Sequence, residues 1–161
     1  MRIASVAIVV IASAAALVVL LSAAALAADA PAKRFGVEAD LKTYPQATPE
    51  DALASVLKAI AAKRADYVVA HLADPQFVDR RVKETSHEAL LAETTAKLVD
   101  DPGAAKQLRA FLEKGTWTKE DATATVSLKE GSDRLVMFCK SDGRWFLKQP
   151  YKKPAPKGER P

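Results

Sequence analysis

The sequence changes its hydrophobic period at Gly115, and this change determines the fold class that it can adopt. Upstream of Gly115, apolar residues recur every three or four positions, as they do on one face of an amphipathic helix. Downstream, apolar and polar residues alternate over 122–128, which is typical of a half-buried strand. We therefore predict an α+β fold, with N-terminal helices followed by an antiparallel meander of three to four strands.

The first helices are marked by their start and stop signals. Thr48 is a favourable N-cap, and Pro49 suits the first position of the helix that follows. A second helical stretch is predicted over 67–73, where Asp74-Pro75 ends it. The stretch 77–82 fits either a helical turn or a short strand, and the sequence leaves both open.

Two further helices precede the change of period. Thr85, with Glu88 three residues later, predicts a capping box for a helix that ends near Asp100. Asp101-Pro102 starts the next helix, and Gly115 ends it.

The strands are separated by turn residues. After the strand at 122–128, residues 134–140 are apolar on both faces, which predicts a central strand. Ser141-Asp142-Gly143 fits a tight hairpin turn, and a third strand is expected over 144–149, ended by Pro150. Residues 116–119 offer a fourth strand.

The N-terminus has the three parts of a secretory signal peptide. Arg2 precedes an apolar stretch over 3–21, and Ala25-Leu26-Ala27 provides a small-residue cleavage site. We expect residues 1–27 to be removed, leaving an exported chain, periplasmic or extracellular. The alternative is an uncleaved helix that anchors the chain, because the apolar stretch reaches the ~20 residues of a membrane span.

The remaining chain divides by composition into a linker or arm (28–47), an α+β domain (48–150) and a basic, proline-rich tail (151–161). Without residues 1–27 it holds 23 Lys+Arg and 20 Asp+Glu, and 148–161 alone carry five basic residues and one acidic residue. The domain itself is therefore close to neutral, which does not favour specific nucleic-acid binding.

Several chemistries are excluded by what the sequence lacks. Cys139 is the only cysteine, so an internal disulfide is excluded, and Ala28 after the cleavage site excludes a lipoprotein. No phosphate-binding loop, dinucleotide fingerprint, zinc-protease motif or nucleophile elbow is present. We expect no cofactor and no metal site.

Tyr67, His71 and Asp74, with Asp66 nearby, are weak candidates for catalysis. Tyr67 and His71 are four residues apart and would share a helix face, so a hydroxyl and an imidazole would converge. The simpler interpretation, which we favour, has Tyr67 in the core, Asp74 capping the next helix and His71 on a partly exposed face.

Binding candidates are Trp117, Arg144 and Trp145, together with Lys152 and Lys153 of the basic tail. The tryptophans would line a groove beside Arg144, or they would simply anchor the core. The lysines would tether the chain to an anionic envelope surface, or the tail would be solvated and unattached.

Two stretches carry a resemblance to a known family. They are the helical opening from Thr48-Pro49-Glu50-Asp51 to Asp74-Pro75, and the closing strand–turn–strand from Val136 through Asp142-Gly143 to Leu147. On these residues the chain resembles the nuclear transport factor 2-like superfamily. The resemblance implies a cone-shaped α+β roll over about residues 48–150, and it supplies no residue-by-residue catalytic assignment.

The function expected from the sequence is that of an exported, non-enzymatic domain that binds an unknown protein or small ligand through the open face of the sheet. A homodimer formed through that sheet is also expected. The alternatives are a small isomerase- or cyclase-type enzyme with a pocket between helices and sheet, and a structural envelope protein held by its N-terminal helix.

Overall fold

The computed structural model describes residues 32–128 and 134–152, with side chains described for 32–128 and 135–148. The predicted leader over 1–27, the turn at 130–133 and the tail from Lys153 onwards lie outside the described residues. Within the described ranges, no helix combines the length and apolar character needed to cross a bilayer.

The described residues form helices first and strands second, which confirms the predicted α+β class. In chain order the elements are α1 (Pro49–Ala61), α2 (Ala65–Tyr67), the π-helical turn π1 (Val68–Leu72), α3 (Pro75–Glu84), α4 (His87–Thr94), the π-helical turn π2 (Thr95–Val99), α5 (Pro102–Lys114), β1 (Thr116–Lys119), β2 (Thr123–Ser127), β3 (Arg134–Ser141) and β4 (Arg144–Lys152).

Helix α1 starts at a complete capping box. The Thr48 hydroxyl accepts from the Asp51 N–H at 3.0 Å, and the Asp51 carboxylate accepts from the Thr48 N–H at 3.1 Å. Behind this cap, Leu53 and Val56 are fully buried against the sheet and α5.

The next two helices differ in part from the sequence pattern. The ambiguous stretch 77–82 is helical, as part of α3. The capping box predicted at Thr85 is wrong, because the Ser86 hydroxyl caps α4 by accepting from the Ala89 N–H at 3.1 Å. The Thr85 hydroxyl instead donates back to the Arg81 carbonyl at 2.9 Å, as Thr does at the end of a helix.

Gly115 ends α5 as expected, but not for the usual conformational reason. Its φ is −74°, which any residue adopts, so no left-handed cap is present. A Cβ at this position would collide with the Val126 side chain and the Phe111 carbonyl. Glycine is needed here because the end of the helix passes directly over strand β2.

The four strands form one antiparallel sheet in the order β1-β2-β3-β4. The optional strand at 116–119 is therefore present, and β3 is central as predicted. Asp142 and Gly143 join β3 to β4 with φ values of 49° and 74°. Two successive positive φ angles are typical of a type I′ hairpin turn.

Strand β4 continues to Lys152 and does not end at Pro150 as the sequence suggested. Met137 pairs with Lys148 and Leu135 pairs with Tyr151, so β4 has one extra residue between these pairs. This β-bulge contains Pro150. A proline is tolerated there because the bulge interrupts the ladder on an edge strand, where its missing N–H does no harm.

The core lies between the helices and one face of the sheet. That face supplies alternate side chains from β2, β3 and β4: Ala124, Val126, Val136, Phe138 and Trp145. Phe138 is fully buried and contacts Trp117 on β1, with ring centroids 5.6 Å apart.

Residues 32–47 lie against the domain, and we call them the arm. Tyr44 is buried on Tyr67, with ring centroids 4.2 Å apart. The Gln46 main chain accepts from the Trp145 N–H at 3.0 Å, and the Leu147 carbonyl accepts from the Asp74 N–H at 3.0 Å. The arm and the π1–α3 junction thus cover the outer edge of β4, which would otherwise present unpaired backbone groups.

Candidate functional site

A pocket of about 280 Å³ opens between the helices and strand β4. Its walls come from π1, α3, α4, π2 and one residue of β4. The apolar lining residues are Val68, Val69, Ala73, Phe77, Val78, Leu90, Leu98 and Leu147. Ligand pockets in proteins begin at about 300 Å³, so this pocket lies at the lower end of their sizes and suits only a small molecule.

The polar residues of the pocket all come from one stretch of helix: Glu93, Thr94 and Lys97. The Lys97 ammonium donates to Glu93 Oε1 at 2.7 Å, and Arg81 donates to Glu93 Oε2 at 3.0 Å. These two bonds hold the pKa of Glu93 below its usual value. The Lys97 side chain is 74% exposed, which places this polar group at the mouth of the pocket.

Both π-helical turns contribute to the pocket wall. In π1 the Ala73 N–H donates to the Val68 carbonyl at 2.8 Å, and in π2 the Asp100 N–H donates to the Thr95 carbonyl at 2.8 Å. Each bond spans five residues, which widens the helix locally. Such π turns are rare and frequently occur at functional sites, so two of them around one cavity mark it as the candidate site.

Tyr67 and His71 lie side by side as predicted, with ring centroids 5.1 Å apart. Both are buried, at 1% and 3% exposure, so the partly exposed position expected for His71 is wrong. The Tyr67 hydroxyl accepts from the Asp40 N–H at 2.8 Å, and His71 Nε2 lies 2.9 Å from the Val37 carbonyl. Their polar atoms therefore hold the arm and do not line the pocket.

Burial lowers the pKa of His71, and the nearby Arg144 and Arg34 lower it further, while its bond to the Val37 carbonyl opposes this. The neutral ring is therefore favoured in the folded chain. Below pH ~6.5 the unfolded chain takes up a proton that the folded chain does not, so folding is destabilised. Burial likewise raises the pKa of its neighbour Tyr67, which stays neutral over this range.

We expect the urea midpoint to be level above pH ~7 and to fall as the pH drops from 7 to 5. In His71→Gln this fall should be reduced, because the titrating ring is gone. Lys106→Gln is the control, since Lys106 is exposed on α5 and the fall should remain in this variant. A profile that is level to pH 5, or unchanged in His71→Gln, would contradict the expectation.

Asp74 is not part of the Tyr67–His71 pair. Its carboxylate accepts from the Gln76 N–H at 3.1 Å and so caps α3, as the simpler interpretation held. It also lies near Cys139, on the sheet face away from the helical core. Burial and Asp74 together raise the pKa of Cys139 to about 11. A thiol with that pKa is almost entirely protonated near neutral pH, which makes it a poor nucleophile.

The predicted binding residues Trp117, Arg144 and Trp145 are not brought together. Trp117 and Trp145 lie on opposite edge strands, and both pack against the core. Arg144 points away from that core and lies over the Phe146 ring, 5.1 Å from its centroid. Its Nη1 atom is buried and has no hydrogen-bond partner among the described groups, and burial lowers its pKa.

The side chains of the two predicted tail lysines, Lys152 and Lys153, lie outside the described ones. Lys152 ends β4, and Lys153 lies outside the described residues. Within residues 32–128 and 134–152, no cluster of three His, Cys, Asp or Glu side chains is arranged to hold a metal ion.

Sequence reasoning offered a pocket between helices and sheet only for the enzyme alternative and did not name its lining residues, although part of their signal was present. Glu93 and Lys97 are four residues apart, which indicates an ion pair on a helix face, and the leucines at 90, 91 and 98 mark an apolar face beside it. Comparisons with protein-family models, curated proteins and solved structures found no significant match to the chain. The resemblance to the nuclear transport factor 2-like superfamily therefore stays a prediction.

Proposed function

We propose that this chain is a non-enzymatic, exported domain that binds a small, largely apolar molecule in the pocket between its helices and β4. The observation that carries the proposal is the pocket itself, which has eight apolar lining residues and three polar ones at its mouth. Concave apolar sites with a few convergent polar groups are the usual form of small-molecule sites. The proposal locates the ligand in this pocket and not on the outer face of the sheet.

The distribution of titratable groups supports binding over catalysis. Glu93 is the one carboxylate that lines the pocket, and its two ion-pair bonds favour the ionised form. An ionised carboxylate held by two cations is a weak general base and has no proton to give. Tyr67 and His71, the other acid–base candidates, are bonded to the arm.

The N-terminal sequence supports placement outside the cytoplasm. An apolar stretch after Arg2 and a small-residue exit at Ala25-Leu26-Ala27 are the features that signal peptidase uses. The mass of the chain purified from its native host tests this part of the proposal. A chain that begins at Ala28 supports export with cleavage, and one that begins at Met1 and remains in the membrane fraction overturns the cleavage and favours the anchored alternative.

Binding in the pocket is tested by filling it. Ala73→Phe and Thr94→Phe each place a ring in the lining, and we expect each to weaken the binding of naphthalene at least about tenfold in a fluorescence titration. Ala92→Phe is the matched control, since Ala92 is exposed on the same helix as Thr94 and does not line the pocket. Thermal unfolding of each variant verifies that it is folded.

Two results would overturn the proposal. Naphthalene would fail to bind the unmodified chain, or the control Ala92→Phe would weaken binding as much as the two filling variants do. The second result would place the ligand elsewhere on the surface.

A further inference from the structure

Two side chains at the mouth of the pocket, Lys97 and Thr94, have N–H or O–H donors that a ligand could use. Glu93 accepts one cationic N–H on each of its oxygens, from Lys97 and from Arg81. The Lys97 ammonium has three N–H donors, and one of them bonds Glu93, so two remain for a ligand. The Thr94 hydroxyl, also in the lining, adds a rotatable donor.

The charged groups at the mouth also favour an anionic group on the ligand. Glu93 and Lys97 are the charged residues of the lining, and Glu93 is bonded to Lys97 at 2.7 Å and to Arg81, outside the lining, at 3.0 Å. Arg81 is also paired with Glu84, whose carboxylate lies 3.5 Å from the guanidinium nitrogen that does not bond Glu93. A cationic ligand group would meet the Lys97 ammonium and a carboxylate that already has two cationic partners. An anionic group would meet the spare donors of Lys97.

The apolar part of the pocket limits the size of the ligand. An engineered apolar cavity of about 150 Å³ accommodates benzene. The pocket here, at about 280 Å³, is nearly twice as large. A body of about ten carbon atoms therefore fits, while a two-chain lipid is far too large.

Building on the proposed function, we propose that the ligand is a monocarboxylate with an apolar body of about ten carbons. Its carboxylate accepts from the Lys97 ammonium and the Thr94 hydroxyl at the mouth. Its body lies among Val69, Phe77 and Leu98 between the two π turns. Lys97 thus selects the head group, and the apolar walls select the length.

The test compares ligands that share a body and differ in the head group. Decanoate, decanol and decylammonium are titrated calorimetrically against the purified chain at pH 7 and low salt, each below its micelle concentration. We expect decanoate to bind about three- to fivefold more tightly than decanol, as expected for one exposed ion pair, and decylammonium to bind most weakly. The preference for decanoate should shrink at ~0.5 M NaCl because salt screens exposed charges.

Lys97→Met tests the residue that is assigned the head group. It should abolish the preference for decanoate over decanol while leaving the affinity for decanol close to that of the unmodified chain. Lys106→Met is the matched control, because Lys106 is exposed on α5 and does not line the pocket, so the preference should persist.

The outcomes separate this inference from the proposal on which it depends. If none of the three ligands binds, the small-molecule function itself fails. If decanol or decylammonium binds as tightly as decanoate, or if the preference survives Lys97→Met, the carboxylate assignment is overturned although the pocket still binds ligands.

Discussion

Replacing Gln46 with leucine is expected to lower the free energy of unfolding by about 2–4 kcal/mol. The Gln46 amide donates to the His71 carbonyl at 3.0 Å and to the Trp145 carbonyl at 2.8 Å, in a buried position. Leucine has a similar size but no donor, so both carbonyls lose this bond. Each buried carbonyl without a partner costs about 1–3 kcal/mol. Leucine offsets part of this through its better burial and because it removes the Gln46 Oε1 atom, which is buried without a partner among the described groups.

Urea unfolding followed by tryptophan fluorescence measures the effect. Gln107→Leu is the matched control, since Gln107 is exposed on α5 and should change the stability by less than about 0.5 kcal/mol. A Gln46→Leu chain that unfolds at the same urea concentration as the unmodified chain would show that these two bonds contribute little to the stability of the domain.

Replacing Gly115 with alanine is expected to destabilise the chain by about 1–3 kcal/mol. The backbone φ of −74° accepts alanine, so the loss comes entirely from overpacking. The added methyl group would collide with the Val126 side chain and with the Phe111 carbonyl. The helix end and β2 must then move apart, which opens the core at Val126, a fully buried residue.

Two further variants separate overpacking from other effects of the added methyl group. Gly103→Ala lies at the start of the same helix, where the methyl group would meet only the Asp101 side chain, 3.0 Å from its nearest oxygen. It should cost less than Gly115→Ala, because the obstacle is a rotatable side chain, although that same oxygen caps the helix by accepting from the Gly103 N–H at 2.7 Å. Val126→Ala removes one of the two collisions, so Gly115→Ala should cost less in that background. Equal losses in both backgrounds would show that Val126 is not the obstacle.

Local patterns predicted the elements well because their physical causes are local. The change of period at Gly115, the Thr48 cap and the Asp142-Gly143 turn each depend on neighbouring residues, and each is present in the structure. The cap of α4 was predicted one residue too early, at the Thr85 hydroxyl instead of the Ser86 hydroxyl. Sequence alone does not decide which of two adjacent caps a helix uses.

The parts that the sequence did not predict depend on distant contacts or on small changes in backbone bonding. An i→i+5 bond at Val68 or Thr95 leaves the hydrophobic period almost unchanged, so the π turns and the pocket between them have no clear sequence signal. The burial of His71 depends on the arm, 34 residues away, and periodicity within one helix cannot show this contact. The extension of β4 through Pro150 likewise depends on its partner, β3.

The pairing of Gln46 with Trp145 joins positions 99 residues apart, near the two ends of the described chain. Closing a loop of this length costs conformational entropy, and distant contacts of this kind slow folding. During synthesis the arm is made long before the β3–β4 hairpin, so it has no strand to pack against until β4 has been made. The packing of the arm on the hairpin, and with it the domain, is therefore completed only after the last strand has been synthesised.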